Sequence, residues 1–309
     1  MHPTRTKKGS ARIFKFFKNS SNNSERLFGW WWRRLRRLKS KADETILNIE
    51  QDQAAAEKLP YPISISRKPT YSTTVPPGGG VENFDTPEAS NLNRARLEHL
   101  YSLGLSLQGK RVLDAGCGVG HLGHFLQQQG CNVLCIDARI QNIARLNELY
   151  PGLRAMVMDL EKDDVQELGR FDIVFAYGVL YHLENPFQAL RRLAAICDES
   201  LLLETMVADH FLPLVRFAEE TLAYSQALRN VGSRPTPSFL VLALRSAGFE
   251  YVYAPRTPPD HPDFLFTWKN DLSDSRDGHL LRCIFVASRH PLETPTLVSL
   301  FSKSDPENS

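Results

Sequence analysis

The 309-residue chain is 42% hydrophobic and 23% charged, which is ordinary for a globular protein and enough for one full α/β core with additions or two small domains. Its formal charge of +2 hides an asymmetry: residues 1–41 hold 13 Lys or Arg against one acid, Glu25, so the other 268 residues sum to about −10. No run of 18 apolar residues is present, which excludes a spanning helix, and the basic N-terminus lacks the apolar stretch of a secretory signal.

Residues 1–82 read as a basic arm followed by a linker. The first 24 are basic and rich in Ser and Asn, a composition that does not form a core. Glu25–Lys41 has Leu27, Trp31, Leu35 and Leu38 at helical spacing, with Trp30-Trp31-Trp32 beside four arginines. That pattern fits an interfacial helix on an anionic membrane, an RNA contact through stacking and guanidinium pairing, or a tail folded onto the body. Ala42–Leu59 is a polar, acidic helical stretch. Pro60–Gly80, with five prolines and a Gly78-Gly79-Gly80 run, reads as a linker or cover loop.

A folded domain is expected over residues 83–290. Asp85-Thr86-Pro87-Glu88 is a helix start, and Leu92, Ala95, Leu97, Leu100 and Leu103 mark the helix that follows. Strands are then predicted at Arg111–Ala115, Asn132–Ile136, Ala155–Met158, Asp172–Ala176 and Leu201–Leu203. Helices are predicted between them at Leu122–Gln129, Ile140–Leu149, around Val165, and at Pro186–Ile196. A helix at Ser238–Ala247 and strands at Tyr251–Tyr253 and Leu281–Ala287 complete the pattern. Unbroken apolar strands alternating with helices predict an α/β fold, a doubly wound and mostly parallel sheet of seven strands. Pro255–Gly278 is too long for a mere connection, and residues 291–309 read as a disordered tail. The five cysteines form no C-x-x-C pair or zinc spacing, so no metal is expected, and reduced, packed thiols point to a cytoplasmic protein.

The chemistry concentrates in Val112-Leu113-Asp114-Ala115-Gly116-Cys117-Gly118-Val119-Gly120-His121. A short buried strand breaks there into a glycine loop that opens a helix, so a ligand must lie almost on the backbone. Gly118-Val119-Gly120-His121-Leu122-Gly123 also satisfies the dinucleotide pattern G-x-G-x-x-G. Asp114 decides against that reading, because a buried carboxylate repels a pyrophosphate but suits the ammonium and sulfonium of S-adenosylmethionine. In such sheets the ligand lies beyond the carboxyl ends of the strands. Asp114, Gly116, Gly118 and Gly120 close the first strand, and Asp137 closes the second, where a carboxylate accepts from both ribose hydroxyls. Asp159, Leu160 and Glu161 close the third and face the adenine edge, and Tyr177 closes the fourth beside the methionine moiety. Tyr181 and His182, on the loop after that strand, are the expected catalytic pair that orients the acceptor, with His182 suited to take a proton near neutral pH. Glu204 is expected on the rim, and His121 at its helix start.

From Asn83 to Ala287 the chain resembles the class I S-adenosylmethionine-dependent methyltransferases, and within them the tRNA uridine carboxymethyltransferases. The likeness rests on Asp85-Thr86, Val112–Gly118, Phe171-Asp172, Gly178-Val179-Leu180-Tyr181-His182, Leu203-Glu204-Thr205, Arg229-Asn230-Val231 and Pro237-Ser238. It implies cofactor contacts at Gly116, Asp137, Leu160, Glu161, Tyr177, Tyr181 and Arg229, the Tyr181–Arg229 pair meeting the extra carboxylate of a modified cofactor. Glu88 and Asn93 stand where that family has a tryptophan and a lysine, which disfavours a carboxylated donor. Transfer of a plain methyl group to a small molecule, lipid or glycan is therefore expected. RNA modification through the basic arm is the alternative, and residues 25–41 offer a route to peripheral membrane contact.

Overall fold

The computed structural model describes residues 80–220 and 226–302. The expected helix at Glu25–Lys41, the polar stretch after it and nearly all of the linker lie outside the described residues. A one-turn 3-10 helix at Val81–Phe84 leads into α1 (Pro87–Ser102). Thr86 caps α1 by accepting from the Ala89 amide at 3.1 Å, and Pro87 occupies the first turn, as the sequence predicts.

Five strands and three helices then alternate. They are β1 (Arg111–Ala115), α2 (His121–Gln128), β2 (Asn132–Asp137), α3 (Ile140–Leu149), β3 (Arg154–Val157), β4 (Phe171–Tyr177), α4 (Pro186–Ala195) and β5 (Cys197–Met206). A hairpin follows, β6 (Val215–Glu219) and β7 (Val231–Pro235), and then α5 (Pro237–Ser246) and β8 (Tyr251–Pro255). A two-residue pair, β9 (Ser275–Arg276) and β10 (His279–Leu280), precedes β11 (Arg282–Ser288) and β12 (Leu297–Ser302).

The main sheet has eight strands in the order β12-β8-β11-β5-β4-β1-β2-β3. Strands β3, β2, β1, β4 and β5 pair in parallel, and β11 is inserted antiparallel between β5 and β8. Val112, Leu113, Val174, Phe175, Leu201 and Leu202 have no exposed surface, which explains the absence of polar alternation in these strands.

Two expectations are corrected. The sheet has eight strands rather than seven, and the eighth comes from the segment expected as a disordered tail. Leu297, Leu300 and Phe301 are buried, β12 pairs with β8, and the Arg245 guanidinium lies 4.0 Å from the Phe301 ring centroid. The folded body therefore reaches Ser302 and does not stop at residue 290. The long 256–278 segment is largely irregular, buries Phe264 and Trp268, and carries Asp263 to the sheet.

A candidate cofactor cleft at the carboxyl ends of the parallel strands

A cleft of about 470 Å³ opens where β1, β2, β3 and β4 end. Its lining includes Asp114, Gly116, Gly118, Asp137, Asp159, Leu160, Glu161, Tyr177, Tyr181, His182 and Arg229, so all but one of the expected site residues meet there. Gly120 is the exception. It is the N-cap of α2, with φ +88°, and a Cβ there would lie 2.6 Å from the Leu146 side chain. Its glycine serves the packing of the turn rather than the cleft wall.

The floor is shaped by missing side chains. Gly116 and Gly118 both have positive φ, and a Cβ at Gly116 would lie 2.3 Å from Val179. At Gly118 it would meet the Phe84 ring at 2.5 Å, so the 3-10 turn before α1 closes directly onto the loop.

Asp114 is 1% exposed and, among the described residues, has no cationic partner. Burial first, and the negative charge of Asp137 second, push its carboxyl up to about 7. A cation placed beside this group would favour its ionised form. Asp137 is differently placed. Its Oδ2 accepts from the Gly118 amide at 3.0 Å, and its Oδ1 accepts from the Arg139 amide at 2.9 Å and Asn142 Nδ2 at 3.0 Å. It thus ties the glycine loop to the start of α3 while lining the cleft.

The two acids after β3 converge on one guanidinium. Arg229 donates to Asp159 Oδ2 at 2.7 Å and to Glu161 Oε2 at 2.5 Å. The segment that carries Arg229 is fastened again by Arg139, which donates to the Gln226 carbonyl at 3.1 Å. Tyr177 stacks on Phe175 with ring centroids 4.1 Å apart, and its buried hydroxyl has no hydrogen-bond partner among the described residues. Burial raises its pKa, so it stays a neutral donor.

Beyond Tyr177 the cleft is walled by arginines that sequence reasoning did not select. Arg96, on α1, donates to Asn93 Oδ1 at 3.1 Å and to Glu204 Oε2 at 2.5 Å. Arg282 reaches Glu204 Oε1 and Asp263 Oδ2, each at 3.0 Å. Glu204 is therefore not on the rim, as its place at a strand end suggested, but wholly buried between two guanidinium groups. Tyr181 lies between two more contacts, its ring centroid 5.0 Å from the Arg282 guanidinium and 5.5 Å from that of Arg234. The His182 ring lies beside it, tilted by 46° with centroids 4.1 Å apart, and its Nδ1 is 2.6 Å from Glu220 Oε2. His121 opens α2 and sits 2.7 Å from the Tyr150 hydroxyl, with Asp85 at 3.5 Å. Arg96 had no sequence signal except helical spacing from Asn93, and Glu220 and Arg234 had none, because their contacts with each other and with the Tyr181-His182 loop exist only once the β6–β7 hairpin has folded against it.

The methyltransferase-domain family model matches residues 89–254. Over 177 residues the chain is 30% identical to the ubiquinone biosynthesis O-methyltransferase of Bordetella avium, covering 52% of this chain and 70% of that one. It is 36% identical over 157 residues to the tRNA U34 carboxymethyltransferase of Azotobacter vinelandii, and spans about half that relative's length (48%). Among solved structures, the N-terminal domain of EvdMO1 with SAH bound aligns with TM-score 0.49 and 21% identity, over 64% of this chain and 80% of that one.

Proposed function

The chain belongs to the methyltransferase-domain family, as an S-adenosylmethionine-dependent methyltransferase, and we propose that it methylates a small-molecule, lipid or glycan acceptor held beside Tyr181 and His182. The observation that carries this reading is Asp114, a buried acid with no counter-cation among the described residues, at the mouth of β1 and next to two glycines that keep the floor low. The residues present fit the cofactor. Asp114 would hold its ammonium end, the buried Tyr177 hydroxyl would flank the methionine moiety, Asp137 would hold the ribose, and Asp159, Leu160 and Glu161 would face the adenine.

When bound, S-adenosylmethionine supplies a methyl group on a positively charged sulfur, and that charge is neutralised as the group leaves. The residues around it therefore need to position and dry the site more than to supply a strong charge. Phe84, Leu160 and Val179 exclude water from the loop side of the cleft. Tyr181 and His182 orient the acceptor from the other side, and His182 takes up the proton that the acceptor loses.

The donor is taken to be the unmodified cofactor. Arg229 is already shared between Asp159 and Glu161, and Arg96 and Arg282 are already shared with Glu204. Each of these cations is already engaged by at least one of the protein's own carboxylates. Mass spectrometry of the ligand that copurifies with the protein separates the plain from the carboxylated cofactor, and a dinucleotide in its place would overturn the reading. Asp114→Ala should abolish binding of S-adenosylmethionine in calorimetry.

A second reading is supported by the tRNA U34 carboxymethyltransferase relatives and by the 13 basic residues of the first 41. An RNA acceptor would be gripped through residues 1–41, and binding would fall steeply with salt and vanish when they are removed. The acidic remainder of the chain weighs against this reading. No described helix is long and apolar enough to cross a membrane. In the first reading, a cytoplasmic enzyme would reach anionic lipid surfaces through residues 25–41.

A further inference from the structure

We infer that Glu220 is a positioning residue for His182, and that the pair serves acceptors whose methylated atom sheds a proton on transfer, as a hydroxyl oxygen does. This rests on the placement of the acceptor beside His182 proposed above. An ionised carboxylate has no hydrogen to give, so the 2.6 Å contact with Glu220 Oε2 requires the proton on His182 Nδ1. In the neutral ring the lone pair then falls on the other nitrogen, Nε2, which makes no hydrogen bond among the described residues. His182 lines the cleft, and its side chain is 17% exposed, so that lone pair is within a partly solvated, partly dry setting where a proton can be received.

Glu220 is itself held. Its Oε1 accepts from Arg234 Nη2 at 2.9 Å, and Arg234 Nη1 donates to the Tyr181 carbonyl at 3.0 Å, so one guanidinium fixes the carboxylate and the loop that carries the histidine. Space has been made for the carboxylate as well. A Cβ on Gly232 would lie 2.4 Å from Glu220 Oε1. The β6–β7 hairpin thus brings a carboxylate, a cation and a gap to the back of one imidazole, an arrangement that bracing the loop alone does not require.

The chemistry that uses such a dyad is methylation of an atom that must shed a proton. The acceptor oxygen forms a bond to the methyl carbon, the sulfur–carbon bond breaks with its electron pair left on sulfur, and the hydroxyl proton passes to His182 Nε2 and then to water. A thioether or tertiary amine has no proton to lose and would leave the dyad idle.

The test uses the full chain, labelled with nitrogen-15 in histidine and saturated with S-adenosylhomocysteine, with His182 assigned through His182→Asn. Nitrogen shifts at neutral pH should show the Nδ1–H form, and Glu220→Gln should abolish that preference while leaving affinity for S-adenosylhomocysteine unchanged. An Nε2–H ring in the wild-type protein overturns the proposal even if the variant does not fold. The acceptor class is read by supplying methyl-carbon-13 S-adenosylmethionine and a deproteinised small-molecule extract. Label on oxygen, or on a nitrogen that carried hydrogen, with turnover about 10²-fold slower in Glu220→Gln, is the expected result. Label on a thioether sulfur or a tertiary amine nitrogen overturns it. Absence of transferred label counts against the small-molecule acceptor, whereas the ring tautomer judges the dyad independently.

Discussion

Arg96, in the middle of α1, meets the carboxylate of Glu204 on β5 at 2.5 Å, and neither side chain is more than 8% exposed. The contact pins the helix that precedes the sheet to its centre, beneath the wall of the cleft. Removing one partner strands a buried charge, so Arg96→Ala should lower unfolding free energy by about 3–5 kcal/mol in urea titration. A loss below about 1 kcal/mol would mean that water reaches the pair. Burial acts to raise the Glu204 carboxyl, but the pull of Arg96 and then Arg282 outweighs it and holds the group below its usual range. Its stabilisation is therefore present above the unfolded carboxylate pKa and disappears as the pH falls through the lower folded value. Acid should loosen α1 from the sheet, which hydrogen exchange in α1 would follow.

Asp114 has the opposite sign. Its folded pKa is raised to about 7, so between roughly pH 4 and pH 7 the folded chain binds a proton that the unfolded chain does not. Stability should fall as pH rises across that window and level off above it, a change of about 2–4 kcal/mol at most. Asp114→Asn should flatten the dependence and make the ligand-free protein more stable at pH 8. The same variant should bind S-adenosylmethionine at least tenfold more weakly, whereas affinity in the wild type should increase as pH rises through 7. A variant that is both less stable at pH 8 and unchanged in affinity would remove Asp114 from the proposed role.

What the sequence made legible follows from where the determinants lie along the chain. The β1 segment, the capped start of α1 and the carboxylates at or just past the ends of β1, β2 and β3 are all local: apolar run, turn residue, polar terminus. Their positions in the fold follow from the strand-end rule without any knowledge of contacts. Arg96, Arg234, Glu220 and Arg282 depend on pairings between residues far apart in sequence, Arg96 and Glu204 being separated by 108 positions. The strand β12 was lost for a different reason. Leu297-Val298-Ser299-Leu300-Phe301 is a strand-length apolar run, but it stands among Pro, Thr, Ser and Asp residues whose composition reads as a tail.

Arg229 makes donor selectivity measurable. With its guanidinium divided between Asp159 and Glu161, a carboxylated S-adenosylmethionine would have to break one of these contacts to gain another. In competition calorimetry the carboxylated form should bind no more tightly than the plain cofactor. Preference for it by tenfold or more would show that the bridge opens and would revive carboxymethyl transfer. Arg229→Ala leaves two acids facing each other beside the proposed adenine position and should weaken the plain cofactor by about tenfold, or about 1.4 kcal/mol.

Gly232 tests whether the hairpin is built around the dyad. An added Cβ would meet Glu220 Oε1 and the Tyr181 carbonyl oxygen at 2.4 Å each, and the second of these is backbone that cannot swing aside. Gly232→Ala should therefore cost about 1–3 kcal/mol of stability through overpacking. It should also push Glu220 off His182, slowing turnover while leaving S-adenosylhomocysteine affinity near wild type. Combining it with Glu220→Ala removes the carboxylate half of the clash, so the stability losses should be less than additive, yet turnover should stay low because the imidazole has lost its partner. Recovery of turnover in the double variant would mean that the carboxylate merely fills space behind the ring.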